Sequence, residues 1–153
     1  MTKFLLSVHV LAAIVAIGPV TVAASMFPPA ARRALAASDT GRELAVLRSL
    51  HRICRIYAAA GVVVVVFGLA TAGSLRVLGQ TWLIISIALT ALAAGVLGLL
   101  VLPRQQRVLA SVTGHSTADD APARLAMYTG MFNLLWAAVT VLMIVRPGST
   151  TGV

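Results

Sequence analysis

The chain has 153 residues, 59% of them hydrophobic and only 10% charged. A soluble domain is about 45–50% apolar and about a quarter charged, so a mean hydropathy of +0.98 carried in long apolar runs reads as a polytopic membrane protein in one integral domain, residues 1–153. The formal net charge of +8 does not point to nucleic acid: the arginines gather between the apolar runs, where they set topology, and no basic stripe is interleaved with aromatics.

The first apolar run predicts a helix over residues 3–27, long enough at about 1.5 Å per residue to match a hydrocarbon core of roughly 30 Å. The run is about twice the length of a signal-peptide apolar region. One basic residue precedes it and Pro28-Pro29 follow, so it reads as a retained helix. Pro19 has no N–H for the Val15 carbonyl and predicts a local break. His9, Ala12, Ala13, Ala16, Val20 and Ala23 share one face. Its small residues predict that this face looks into the bundle and takes His9 with it. Pro28-Pro29 are expected to end the span.

After a basic segment, AARRALAAS, the run Thr40-Gly41-Arg42-Glu43 fits a capping box and predicts a second helix over 41–75. Its first turns carry Arg42, Arg48, Arg52 and Arg55, and its membrane part begins near Ile56. Gly61, Gly68, Ala72 and Gly73 offer close-approach positions. Thr81 is a candidate N-cap for a third helix over 82–102, which carries overlapping small-xxx-small pairs, Ala91/Gly95 and Ala94/Gly98. Pro103 is expected to stop or bend it, and 104–112 to form a short interfacial helix ending at Gly114. A polar loop with His115 leads to a fourth helix over 123–146, begun by Pro122 and ended by Arg146-Pro147-Gly148. The expected fold is therefore all-α: an antiparallel up-down four-helix transmembrane bundle with short helical extensions at the interface.

Positive charge orients it. The first and third connections hold Arg32, Arg33, Arg42, Arg48, Arg52, Arg55, Arg104, Arg107 and Arg124, against Lys3, Arg76 and Arg146 on the other side. The positive-inside rule places the former in the cytoplasm and both termini outside.

No Asp, Glu, Lys or Arg lies deep in a span. Ion-coupled pumps and proton relays generally need such groups, so a proton-coupled exporter is disfavoured. His9 is the ionisable side chain well inside the spans, about 7–8 Å from the outer end by helical rise. At the same depth fall Thr71, Ser86, Thr140 and Met143, so one polar layer is expected to hold His9, Thr71, Ser86 and Thr140. On the fourth helix Thr129, Asn133, Trp136, Ala137 and Thr140 share a face expected to point inward. Two readings of His9 compete. In one, a neutral imidazole hydrogen-bonds across the bundle. In the other, it ligates a haem iron or copper, or holds a quinone-like ligand, with Met143 the nearest second axial candidate. His51 lies at the opposite face and cannot join it. With Arg52 and Arg55 it forms an interfacial cluster suited to topology and anionic lipid, or to an anionic ligand. Cys54 reads as a small packing residue.

The opening FLLSVHVLAAIVAIGPV, followed by a basic first connection with Leu50-His51-Arg52, resembles a family of small bacterial four-helix integral membrane proteins of unknown function. The resemblance covers essentially the whole chain and brings no activity. More remotely, a histidine in the first helix followed by a Gly-containing turn resembles the copper-resistance D (CopD) membrane domain and the HemJ-type protoporphyrinogen oxidases. The latter resemblance implies haem b on His9.

The expectation is a non-enzymatic protein of the bacterial cytoplasmic membrane, with lipid and other subunits or further copies of itself as partners. Whether it is an enzyme stays open. A haem- or copper-binding redox protein centred on His9 is the alternative, and a small-molecule transporter ranks third.

Overall fold

Four apolar runs become four long helices in the computed structural model, which describes residues 2–74, 77–114 and 121–148. They are α1 (Thr2–Ala36), α2 (Gly41–Ser74), α3 (Thr81–Gly95) continued through a π-helical turn (Val96–Val101) into α4 (Leu102–Val112), and α5 (Ala121–Val145). All four are long and apolar enough to cross a bilayer, as in a multi-pass membrane protein. Arg76, His115, Asp119 and Asp120 lie outside the described residues, as does residue 75, the expected end of the second helix.

The helices run up and down. Ile17 meets Gly61 and His9 meets Gly68 between α1 and α2, Ser25 meets Asn133 between α1 and α5, and Arg104 meets Tyr128 between α4 and α5. α2 packs along α1, α1 on α5, and α5 on α3; α4 returns to touch α2. The ring is thus closed at the basic end, where the core sits: Ala23, Phe27 and Ala31 from α1, Leu47 and Cys54 from α2, Val101 and Val108 from the third helix, Leu125 and Phe132 from α5. Towards the other end α2 packs chiefly on α1, and Val62, Val66 and Phe67 lie bare, as residues facing acyl chains would.

Local chemistry explains the boundaries. The predicted small-residue faces hold: Ala16, Val20 and Ala23 are buried, and Gly61, Gly68 and Gly73 of α2 stand against Ile17, His9 and Leu78. Pro28-Pro29 do not end the first helix at 27. They are built into α1, which continues to Ala36. The two prolines leave the Ala24 and Ser25 carbonyls without their helix N–H partners, and the alanines beyond keep the helix going. Helix α2 begins at Gly41 as the capping box suggests, but the side chain accepting the Gly41 N–H is Asp39 (3.1 Å), two residues upstream. Thr81 is the first residue of α3 and not its cap; Gln80 is the cap residue, and its side-chain oxygen accepts from the Trp82 indole.

Pro103 neither stops the third helix nor separates an interfacial one. The chain winds into a π turn just ahead of it, with the Leu102 N–H donating to the Leu97 carbonyl, five residues back. A wider turn accommodates the proline ring, which in a regular α-helix clashes with the carbonyl four residues before it. Gly114, at φ +80°, ends α4 as expected. On α5 the buried stripe is Leu125, Thr129, Phe132 and Val139, with Trp136 packed beside it. Of the face expected to point inward, Thr129 and Trp136 belong to this side and Asn133 reaches Ser25 on α1, while Ala137 and Thr140 are exposed, because the bulky apolar stripe takes the core.

Candidate functional site

The hydroxyls expected to form a polar layer with His9 bond within their own helices. Thr71, Ser86 and Thr140 each donate to the carbonyl four residues back in their own helix: Phe67 (2.8 Å), Trp82 (2.8 Å) and Trp136 (2.9 Å). Such back-bonding is the usual way for a hydroxyl to satisfy itself inside a membrane helix. Moreover α2, which carries Thr71, has no extensive packing on α3 or α5. His9 is half-buried and wedged against α2: a Cβ at Gly68 would lie 2.5 Å from its Cε1, 3.2 Å from Nδ1 and 3.3 Å from Nε2. The Cε1 corner of the ring, between the two nitrogens, is turned towards the α2 backbone and crowds that side. Met143 sits half-buried on the last turns of α5. Among the described residues no three His, Cys, Asp or Glu side chains converge on one point.

The polar chemistry concentrates instead at the basic end, in two places. The first is a buried triad. His51 and Cys54, three residues apart on α2, share the helix face that meets α4. Between them comes Gln105, fully buried. Its side-chain oxygen lies 2.9 Å from His51 Nδ1, and its amide nitrogen donates to Cys54 Sγ at 3.5 Å. His51 Nε2 is buried with no partner. Arg52 and Arg55, expected to join His51, point outward and are exposed, so that cluster divides. Arg104 lies over the Tyr128 ring at 4.2 Å and donates to the Leu100 carbonyl at 3.3 Å, within the π turn. The sequence reading missed Gln105. The signal was present: Leu102, Gln105, Val108 and Leu109 form the apolar stripe of an amphipathic turn whose other face is Gln106, Arg107 and Ser111.

The second place is a groove of about 340 Å³ between α1 and α5. Two stripes of identical spacing face each other across it: Ser25, Pro28, Pro29 and Arg32 on α1, Ala126, Thr129, Gly130 and Asn133 on α5. Because the helices are antiparallel, Ser25 stands opposite Asn133 at the deep end, and Arg32 opposite Ala126 at the mouth. The Asn133 amide donates to Ser25 Oγ at 3.0 Å. Thr129 Oγ1 and Asn133 Oδ1 are buried without a partner. Buried polar atoms are paired in the great majority of cases, so two such atoms beside a cavity call for a partner within it.

No family model, curated protein or solved structure matches the chain.

Proposed function

We propose that the chain is a non-enzymatic subunit of the bacterial cytoplasmic membrane, which docks through the outer face of α3 onto a helix of a second chain. The basic end faces the cytoplasm and both termini face outward, because the arginine excess lies at that end. The lipid bilayer is its solvent, and its partner is a membrane helix, either another copy or a different subunit.

One observation carries the reading. Ile84, Ala88, Ala91, Ala94 and Gly98 are exposed, on the side of the helix away from the buried Ser86, Thr90, Ala93 and Leu97. A Cβ at Gly95 or Gly98 would meet nothing within 4 Å. The bundle's other small-residue face, on α2, is already filled by α1. In lipid, where tails are as apolar as leucine, a small-xxx-small stripe favours association by letting two backbones approach. Left against lipid, this one is unused.

The test is oxidative cross-linking in native membranes, in a Cys54→Ala background. Ala91→Cys and Gly98→Cys should form a cross-linked species, and Thr90→Cys on the buried face should not. Monomer alone at all three positions, with no heterologous adduct, would contradict the subunit reading.

A further inference from the structure

We propose that the groove between α1 and α5 is a binding site for one acidic phospholipid, its phosphate held by Arg32 and its ester linkage by Thr129 and Asn133. The inference rests on the membrane-spanning reading, but not on the α3 interface. Arg32 lies at the mouth of the groove, exposed on its free side, and no carboxylate among the described residues pairs with it. Ser25 and Asn133 lie seven residues along the helices from Arg32 and Ala126 respectively, about 10 Å deeper by helical rise. A phosphate and the ester carbonyls of one lipid are about half that far apart, so the ester lies beside Thr129, three residues or about 4.5 Å below Ala126, with Asn133 at its deeper edge. Basic pockets between membrane helices at the arginine-rich face are a recognised setting for anionic headgroups.

The donor pattern matches. The unpaired Thr129 hydroxyl, nine-tenths and more buried, needs an acceptor. If the Asn133 amide turns over, its oxygen accepts from Ser25 and its nitrogen is freed to donate. Arg32 adds a guanidinium at the mouth. Guanidinium, hydroxyl and amide are then three donors in a row, and a phosphodiester with ester carbonyls below it is a row of acceptors. Beside and below Ser25 and Asn133, Met26, Val22 and Leu134 offer a bare apolar track for the acyl chains. Gly130 lines the middle with open space where a side chain would stand, which leaves the groove accessible.

The experiment is native mass spectrometry of the full chain in mild detergent, titrated with dioleoyl phosphatidylglycerol, dioleoyl phosphatidylcholine or soluble glycerol 3-phosphate. One phosphatidylglycerol should be retained in preference to phosphatidylcholine. Arg32→Gln, Thr129→Val and Gly130→Leu should each weaken retention about ten-fold, the scale of one lost charge-assisted hydrogen bond or a blocked groove. Arg124→Gln, outside the groove, should not. Thr129→Val removes an unpaired buried hydroxyl, so its lipid-free melting temperature should stay level or rise while lipid retention falls. A merely structural threonine would move both together. Gly130→Leu keeps every donor and enters open space, so loss of binding there does not come from a failed fold. Equal retention of both lipids, or variants that bind as the wild type does, would overturn the proposal. So would glycerol 3-phosphate displacing the lipid at matching concentration, which would make the ligand a soluble phosphate ester.

Discussion

At the scale of single residues, two contacts decide how tightly helices meet. His9 occupies space that only a glycine at 68 leaves open. Gly68→Ala has to push the His9 ring aside, which offsets the helix propensity that alanine adds, so it should stabilise less than Gly130→Ala, which enters open space and should gain up to about 1 kcal/mol. Adding His9→Ala should recover the difference. Unfolding midpoints in detergent would check all three. A Gly68→Ala as stabilising as Gly130→Ala would contradict the close approach of α1 to α2. The second contact is Gln105 between His51 and Cys54. Gln105→Leu strands two buried polar groups and should cost about 1–3 kcal/mol. Combining it with His51→Phe, which makes the site apolar, should cost less than the single change. A double variant worse than Gln105→Leu alone would show that His51 Nε2 has a partner of its own.

At the scale of elements, the prolines shape the bundle without dividing it. Pro28-Pro29 remove two helix hydrogen bonds beside the α1–α5 groove, and Pro103 follows a π turn that sets the direction of Gln105 and Arg104. Pro103→Ala lets the turn relax to regular helix, which rotates α4 by about one residue, roughly 100°. Gln105 should then leave His51, and Cys54 should react faster with a maleimide in detergent. An unchanged rate would mean that packing, not the proline, holds the π turn. The sequence made the four helices legible because apolar length and small-residue spacing are strong signals in a membrane protein: the face through His9, Ala16 and Val20, the start at Gly41 and the stop at Gly114 all read correctly. The continuation through proline was not legible, because losing one or two backbone hydrogen bonds is a local cost that neighbouring packing outweighs. The polar layer was not legible either. Depth along a helix says nothing of which helices touch, and α2, which carries Thr71, packs on α1 and α4 and not extensively on the α3 that carries Ser86. The groove lies where two stripes of like spacing meet, Ser25, Pro28, Pro29 and Arg32 with Ala126, Thr129, Gly130 and Asn133, and the triad lies where Gln105 enters between His51 and Cys54. Such pairings need the order of the helices, which composition does not contain.

At the scale of the whole molecule, the bundle has a closed, buried, arginine-rich end and an end where α2 packs chiefly on α1. That polarity underlies both proposals. A headgroup site belongs at the basic end, and a docking stripe along α3 must run within the hydrocarbon core. The central claim is that the four helices span a membrane with the basic end inside, and cysteine labelling tests it most directly. Single cysteines at Ser38, Leu78 and Thr113, in a Cys54→Ala background, would be treated with a membrane-impermeant maleimide in intact cells and again after permeabilisation. The account predicts labelling of Leu78→Cys in intact cells, and of Ser38→Cys and Thr113→Cys only once the membrane is opened. Labelling of Ser38→Cys or Thr113→Cys from outside, or of all three alike, would contradict it.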